Sequence, residues 1–337
     1  MKERITHTGE SLGGSLIWAV ACFSLIVFAA PLSWIGESLG DLRWHVGLSA
    51  LGLSLLGMIA LPRKRLGFAC LLGLSLYNLF PALRVYMPST AETFNSGTDI
   101  TLVQVRWEED PPHALEDKLL TESADIVVLT GVSNDARKSL VERLLDWPYS
   151  IAWPQEKDEL DLTVQDDSST LVFSKLPLSE PQVTNFGTSA IFMEALVEFD
   201  GPPVVLRVVD LPPPGPGDQN SDREALLAEL ENRPWPLRTI LAIDLGASDT
   251  SLAYDRVREL GNFSDARQGI GRQATFAASI GGLSLPGMSV PREFTFVGNE
   301  VQVLDRFSQS ILATDREKPL FRGSNHNAIT TRLRVVD

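Results

Sequence analysis

The stretch ADIVVLTGV, residues 124–132, decides the fold class. A short apolar run that ends in a turn residue reads as a strand over 124–130. Upstream, TLVQVRW at 101–107 reads as an earlier strand, and HALEDKLLTES at 113–123 as the helix between the two. Downstream, DARKSLVERLLDW at 135–147 reads as a second helix. Strand, helix, strand, helix is how an α/β layer begins. The acidic loop EKDELDLTVQDD, residues 156–167, then leads into three apolar strand-like segments: STLVFS, AIFMEALVEF and VVLRVVD, at 169–174, 190–199 and 204–210.

LPPPGPG at 211–217 supplies few amide donors and fixes its own backbone angles, so it is expected as a rigid loop. Ser221 and Glu224 have the spacing of a capping box, which predicts a helix from Ser221 through Glu231. RTILAIDLGAS, residues 238–248, reads as a buried strand closing in a polar turn, with a helix around SLAYDRVREL and late strands at REFTFVG, VQVLD and AITTRLRVV. This order predicts two sheets packed together with helices outside them.

Charge divides the chain. Residues 1–90 hold seven Lys/Arg and four Asp/Glu, a net of +3, and the remainder holds 22 and 39, a net of -17. The remainder is long enough for its own core, and its negative charge repels phosphate backbones, so general nucleic-acid coating is not expected. The positive part has no charged residue from Ser11 to Gly36, from Trp44 to Pro62, or from Leu66 to Leu83. About 20 apolar residues cross a bilayer as a helix. Three transmembrane helices are therefore predicted, at about 12–35, 44–62 and 66–86, within a membrane region of residues 1–90. Residues 91–98 form a tether and 99–337 the exported domain. Lys2, Arg4 and Arg63-Lys64-Arg65 mark the cytoplasmic side. That places the protein in the cell (inner) membrane as a multi-pass protein, with its C-terminal domain extracytoplasmic, or periplasmic in a cell with two membranes. Cys22 and Cys70 both precede the acidic domain and are expected as buried apolar side chains, leaving that domain without disulfides.

Five local motifs then fall in one order. ADIVVLTGV is similar to "aDivvLQEv", DLPPPGP to "tHlpPp", LAIDLGAS to "laGDfNa", FSDARQGIGRQATF to "l.Da…g…TfP", and GSNHNAI at 323–329 to "gSDHrPv". Together they resemble the endonuclease/exonuclease/phosphatase superfamily over residues 99–337. The resemblance implies a four-layered α/β sandwich of the deoxyribonuclease-like kind, here preceded by the three transmembrane helices. It also implies phosphoester hydrolysis with a divalent cation, a His that activates water, and Asn and His donors on the phosphoryl oxygens.

On this chain the implied residues are largely replaced. The first-strand Asn position is Arg106, and the metal-binding Glu falls on Gly131, which has no side chain to ligate. The middle His falls on Asp210, which repels phosphoryl oxygens. Asp244 keeps the family's Asp while its Asn partner is Gly246; the last motif has Asn325 for Asp and keeps His326. Glu293 stands where an Asp orients that His. The catalytic candidates are thus His326, Asp244, Glu293 and Asn325, and the substrate-binding candidates Arg106 and Asp210. Arg106 either neutralises a bound phosphate or pairs with Asp210 or Asp244. Asp244 can also simply cap its turn, and His326 can bond neighbouring backbone.

The reading that follows is a membrane-tethered, catalytically degenerate binding or scaffolding domain, a pseudoenzyme. No cofactor is expected, and the partners are the lipid bilayer and an extracytoplasmic ligand or envelope protein. The alternative is a divergent phosphoesterase using Asp244, His326 and Glu293, with Mg²⁺ or Mn²⁺ held by Asp244 and Asp210. A purely structural role in an envelope complex is a third expectation. His7, His45 and His113 form no zinc pattern, and the glycine-rich GIGRQATFAASIGG follows no clear strand.

Overall fold

The computed structural model describes residues 15, 18–24, 40–61, 64–87, 94–107, 119, 123–154, 168–187, 189–260, 263–273, 275–280, 283–310 and 326–336. The helix expected at 113–123, residues 91–93 of the tether, and Asn325 lie outside the described residues, apart from Leu119 and Ser123. Two compact units result: residues 1–84 with 249–252, and residues 85–248 with 253–337.

In the first unit, α1 (Arg43–Ala60) and α2 (Arg65–Leu83) form an antiparallel pair. Among the described residues these are the two helices long and apolar enough to span a membrane, the second running on through a 3-10 turn to Tyr86. The expectation of three spans is corrected to two. An uncharged stretch satisfies composition, but crossing also requires continuous helix. Between 12 and 35 the described helix is residues 18–24, about 10 Å of a core about 30 Å thick, and most of the rest of that stretch lies outside the described residues.

The buried side of α1 carries Gly47, Ala50, Ser54 and Gly57, so the backbones approach closely. A Cβ at Gly57 would enter the Phe68 ring. Asn78 Nδ2 donates to Ser24 Oγ at 2.8 Å inside this unit, while Leu56, Ile59 and Leu66 point outward. Polar and small inside with large apolar outside suits a lipid surround. Cys22 and Cys70 are exposed rather than buried, because this bundle turns its larger apolar side chains outward.

The second unit supplies the sheets. In chain order the strands are β1 (Thr98–Arg106), β2 (Ile126–Ser133), β3 (Tyr149–Trp153), β4 (Ser168–Ser174), β5 (Leu178–Phe186), β6 (Ala190–Phe199) and β7 (Gly201–Asp210). They continue with β8 (Thr239–Asp244), β9 (Ser264–Asp265), β10 (Phe276–Ile280), β11 (Leu283–Val290), β12 (Glu293–Val297), β13 (Val301–Ser310) and β14 (Asn327–Val335). One six-stranded sheet runs β13-β14-β1-β2-β4-β3 and the other β5-β6-β7-β8-β12-β9, with β10-β11 as a separate hairpin. β1 with β2 and β7 with β8 are parallel pairs; their neighbours pair antiparallel.

Alternating side chains give each sheet two apolar faces. Ile100, Leu102, Ile126 and Val128 meet Val204, Leu206, Ile240 and Ala242 between the sheets. Val103, Val105, Val127 and Leu129 pack outward with Leu140 of α3 (Asn134–Arg143) and with Leu144 and Trp147. On the other sheet Phe192, Val209, Leu241 and Phe294 pack outward under Leu226 and Leu230 of α4 (Asp218–Asn232) and Val257 of α5 (Leu252–Glu259). Helix, sheet, sheet, helix is the four-layered sandwich.

The capping-box expectation at Ser221 is corrected. α4 starts three residues earlier, at Asp218, and the Ser221 hydroxyl donates to the Asp218 carbonyl at 2.8 Å. Gly217, at φ +68°, lets the proline loop turn straight into a helix without a side-chain cap.

Candidate functional site

Period-two alternation aims the inward residues of four strands at one end of the sheet interface. On β1 the inward series Ile100, Leu102 continues to Gln104 and Arg106, and on β2 Ile126, Val128 continues to Thr130. On β7 Val204, Leu206, Val208 lead to Asp210, and on β8 Ile240, Ala242 lead to Asp244. Register aligns them laterally: Arg106 lies opposite Thr130, Asp210 opposite Asp244, and Asp244 opposite Glu293. The apolar interface therefore ends in a polar cluster.

Arg106 is its centre. Its Nη1 donates to Asp244 Oδ2 at 3.0 Å and lies 3.7 Å from Asp210 Oδ1. Thr130 Oγ1 donates to the same Asp244 oxygen at 3.4 Å, and the Gly246 amide to the other at 2.9 Å. Thr170 Oγ1 donates to Asp210 Oδ2 at 2.9 Å. His326 Nδ1 bonds Glu293 Oε1 in a short contact, with both residues buried. The other Glu293 oxygen and the Gln104 amide are buried without hydrogen-bond partners among the described residues.

The surroundings hold the parts in place. Buried Arg223 of α4 donates to the carbonyls of Pro212 and Leu245, tying the proline loop to the turn after β8. Gly246, at φ +59°, sits so close to Leu211 and Pro213 that a Cβ would clash with their backbone. Arg306 of β13 and Gln273 exchange two hydrogen bonds of 2.8 Å, and Arg306 Nη2 reaches the Glu293 carbonyl at 3.4 Å. Thr275 Oγ1 accepts from the amides of Arg292 and Glu293.

Electrostatics follow from burial and neighbours. Burial pushes the Asp210 carboxyl up, the Asp244 and Glu293 carboxylates add to this, and Arg106 and Thr170 only partly oppose it, leaving it at about 7. Burial also pushes Asp244 up, but Arg106, His326 and the Gly246 amide prevail and hold it below the ordinary carboxylate value. For His326 burial favours the neutral ring, yet the Glu293 and Asp244 charges overcome it and raise the ring above its ordinary value. Near pH 7 Asp210 therefore exchanges its proton, while Arg106 and Asp244 remain a pair.

A divalent cation does not fit these residues. Gly131 stands at φ +68° in the irregular part of the β2–β4 pairing, and a Cβ there would meet Arg106 Cγ and Nε at 3.1 Å. The space into which a ligating side chain would grow is taken by the arginine. Its guanidinium engages both carboxylates that could otherwise bind metal, so a cation would have to displace a charge of its own sign. Among the described residues no group of three or more His, Cys, Asp or Glu is placed to hold a metal ion.

The structure thus brings Arg106, Asp210, Asp244, Glu293 and His326 to one end of the sheets. Thr130, Thr170, Gln273, Thr275 and Arg306 were not singled out from the sequence. The two inward threonines could have been found by continuing the alternation of β2 and β4. Arg306 could not, because an irregularity in the pairing between Val303 and Asp305 changes the face it occupies.

No protein-family profile matches the chain, and no curated protein matches it in sequence. Solved structures do share its fold. TDP2 of D. rerio, crystallised with a single-strand DNA product, superposes with a TM-score of 0.54 at 14% identity, covering 71% of this chain and 100% of the other. An endonuclease/exonuclease/phosphatase from Beutenbergia cavernae gives 0.53 at 18% identity, covering 71% of this chain and 72% of the other. At such identities the likeness is one of fold, and the fold is the four-layered sandwich of the endonuclease/exonuclease/phosphatase proteins.

Proposed function

We propose that this protein is a membrane-tethered domain of endonuclease/exonuclease/phosphatase fold whose cleft has lost metal-dependent hydrolysis and which serves as a binding or scaffolding module. The observation that carries this reading is the position of Arg106, against Gly131 and paired with Asp244 and Asp210. A fixed guanidinium supplies the positive charge that the carboxylates require, so they have no need of a metal. What survives is a His326–Glu293 pair beside Asp244, and a base without a positioned nucleophile or electrophile does little. That pair is also the observation favouring the second reading, a divergent phosphoesterase using Asp244, His326 and Glu293.

The membrane placement draws support from α1 and α2 and from Arg63-Lys64-Arg65 between them. If that basic loop is cytoplasmic, α2 leaves the membrane on the opposite face, and the acidic domain is extracytoplasmic irrespective of any segment before α1. An acidic exterior there fits an envelope protein or small ligand better than nucleic acid.

The test is turnover by the detergent-solubilised full chain on phosphomonoester, phosphodiester, lipid and nucleic-acid substrates with Mg²⁺ or Mn²⁺. No metal-dependent turnover is expected. Turnover that requires the metal and disappears in His326→Ala would overturn the reading in favour of the phosphoesterase.

A further inference from the structure

The turn Arg267–Gln273 in the second unit displays an apolar side chain by rigid means. Gly269 and Gly271 flank Ile270 at φ +84° and +108°, conformations that glycine adopts without strain. The Ile270 and Gly271 amides both donate to the Arg267 carbonyl, at 2.9 and 3.0 Å. Arg267 is itself buried and locked on Asp265, with Nη2 2.6 Å from Oδ2. Ile270 nevertheless remains 45% exposed at the tip. A lone exposed isoleucine would need no explanation, but the glycines on either side of this one have particular neighbours. The Gly269 amide donates to the Val85 carbonyl at 2.9 Å, and a Cβ on Gly271 would lie 2.6 Å from the Tyr86 ring. Val85 and Tyr86 belong to the same unit as the turn, and Tyr86 is also the last residue of the apolar helix that starts at Arg65. Tyr86 and Met87 are each 51% exposed.

We propose that this turn is a membrane-contact element, with Ile270 seated beside Tyr86 in the boundary between lipid headgroups and acyl chains. The inference rests on the reading of α2 as a membrane span. Tyrosine favours that boundary because one end of its ring is apolar and the other polar. A turn hydrogen-bonded to the residue before it is fixed at the same depth. Ile270, Tyr86 and Met87 are then the exposed apolar side chains that meet the bilayer. Gln273, at the other end of the turn, bonds Arg306, so the contact is also tied to the candidate site.

The experiment places single nitroxide labels on the full chain in lipid nanodiscs, with Cys22→Ala and Cys70→Ala removing the native thiols. Labels at Ile270→Cys, Leu76→Cys in α2 and Leu237→Cys before β8 are compared for collision with oxygen and with a water-soluble nickel chelate. Leu76 reports the span, and Leu237, 50% exposed at the opposite end of the sheets, reports water. Ile270 is expected to favour oxygen over nickel, as Leu76 does, with Leu237 reversed. An aqueous Ile270 with a lipid-facing Leu76 overturns the membrane-contact turn alone. An aqueous Leu76 overturns the span itself and the inference with it.

Discussion

Two ends of one interface, four residues apart along β1, are held together by different physics. At one end Leu102 is buried in the apolar cluster that also holds Val204, Ile240 and Leu333. At the other Arg106 bridges Asp244 and Asp210 from the facing sheet. The first end gains free energy from area removed from water, without regard to direction or pH. The second gains it only while its charges are matched, because each buried ion carries a desolvation cost that its partner must offset. In this cluster the buried charges satisfy one another.

That contrast can be broken from either side. Leu102→Ala should have the largest effect, a loss of about 4 kcal/mol from transfer and cavity terms, equal at pH 5 and pH 8 in chemical denaturation. Arg106→Ala should cost about 3 kcal/mol at pH 8, where two buried carboxylates lose their cation, and distinctly less at pH 5, where Asp210 is already protonated. A pH-independent loss would mean that Arg106 acts by packing alone.

Asp210→Asn sharpens the same comparison. The folded carboxyl titrates at about 7 against an ordinary value of 3.8, so between these values the native state binds more protons than the unfolded one. Stability from this group is therefore present at low pH and declines as pH rises through that window. The Asn variant should melt above the wild type at pH 8, with the gap narrowing toward pH 4. The opposite sign would show that ionised Asp210 stabilises the fold through Arg106. Thr170→Val should have the smallest effect, about 1 kcal/mol from one lost hydrogen bond, together with a further rise in the Asp210 titration point measured by carboxyl NMR.

Much of this was legible in the sequence, for physical reasons that differ by region. The strands were readable because an apolar run is a local property: Ile126 to Leu129 are buried on both faces of a sheet that is covered on each side. Asp244 was located through the likeness of LAIDLGAS to a known motif, and the donors that hold it, from Gly246, Thr130 and Arg106, came only with the structure. The pairing of Arg106 with Asp210 or Asp244 was one of two alternatives the sequence left open; that Arg106 reaches both carboxylates at once was not readable, since that depends on two sheets facing each other across more than a hundred residues of chain. Arg306 was hidden by an irregular strand, and the α4 start by a glycine that turns without a cap. The span expected at 12–35 is not among the two long apolar helices of the described residues, and an uncharged composition alone does not specify a helix.

In the function proposed above, Arg106 stands where a metal ion would otherwise be needed. Calorimetric titration of Mn²⁺ into the metal-free, detergent-solubilised full chain tests it most directly, with Asp244→Asn as the reference. Indistinguishable titrations are expected for the two proteins, with no one-to-one site in either. A single Mn²⁺ site in the wild type that is lost in Asp244→Asn would contradict it.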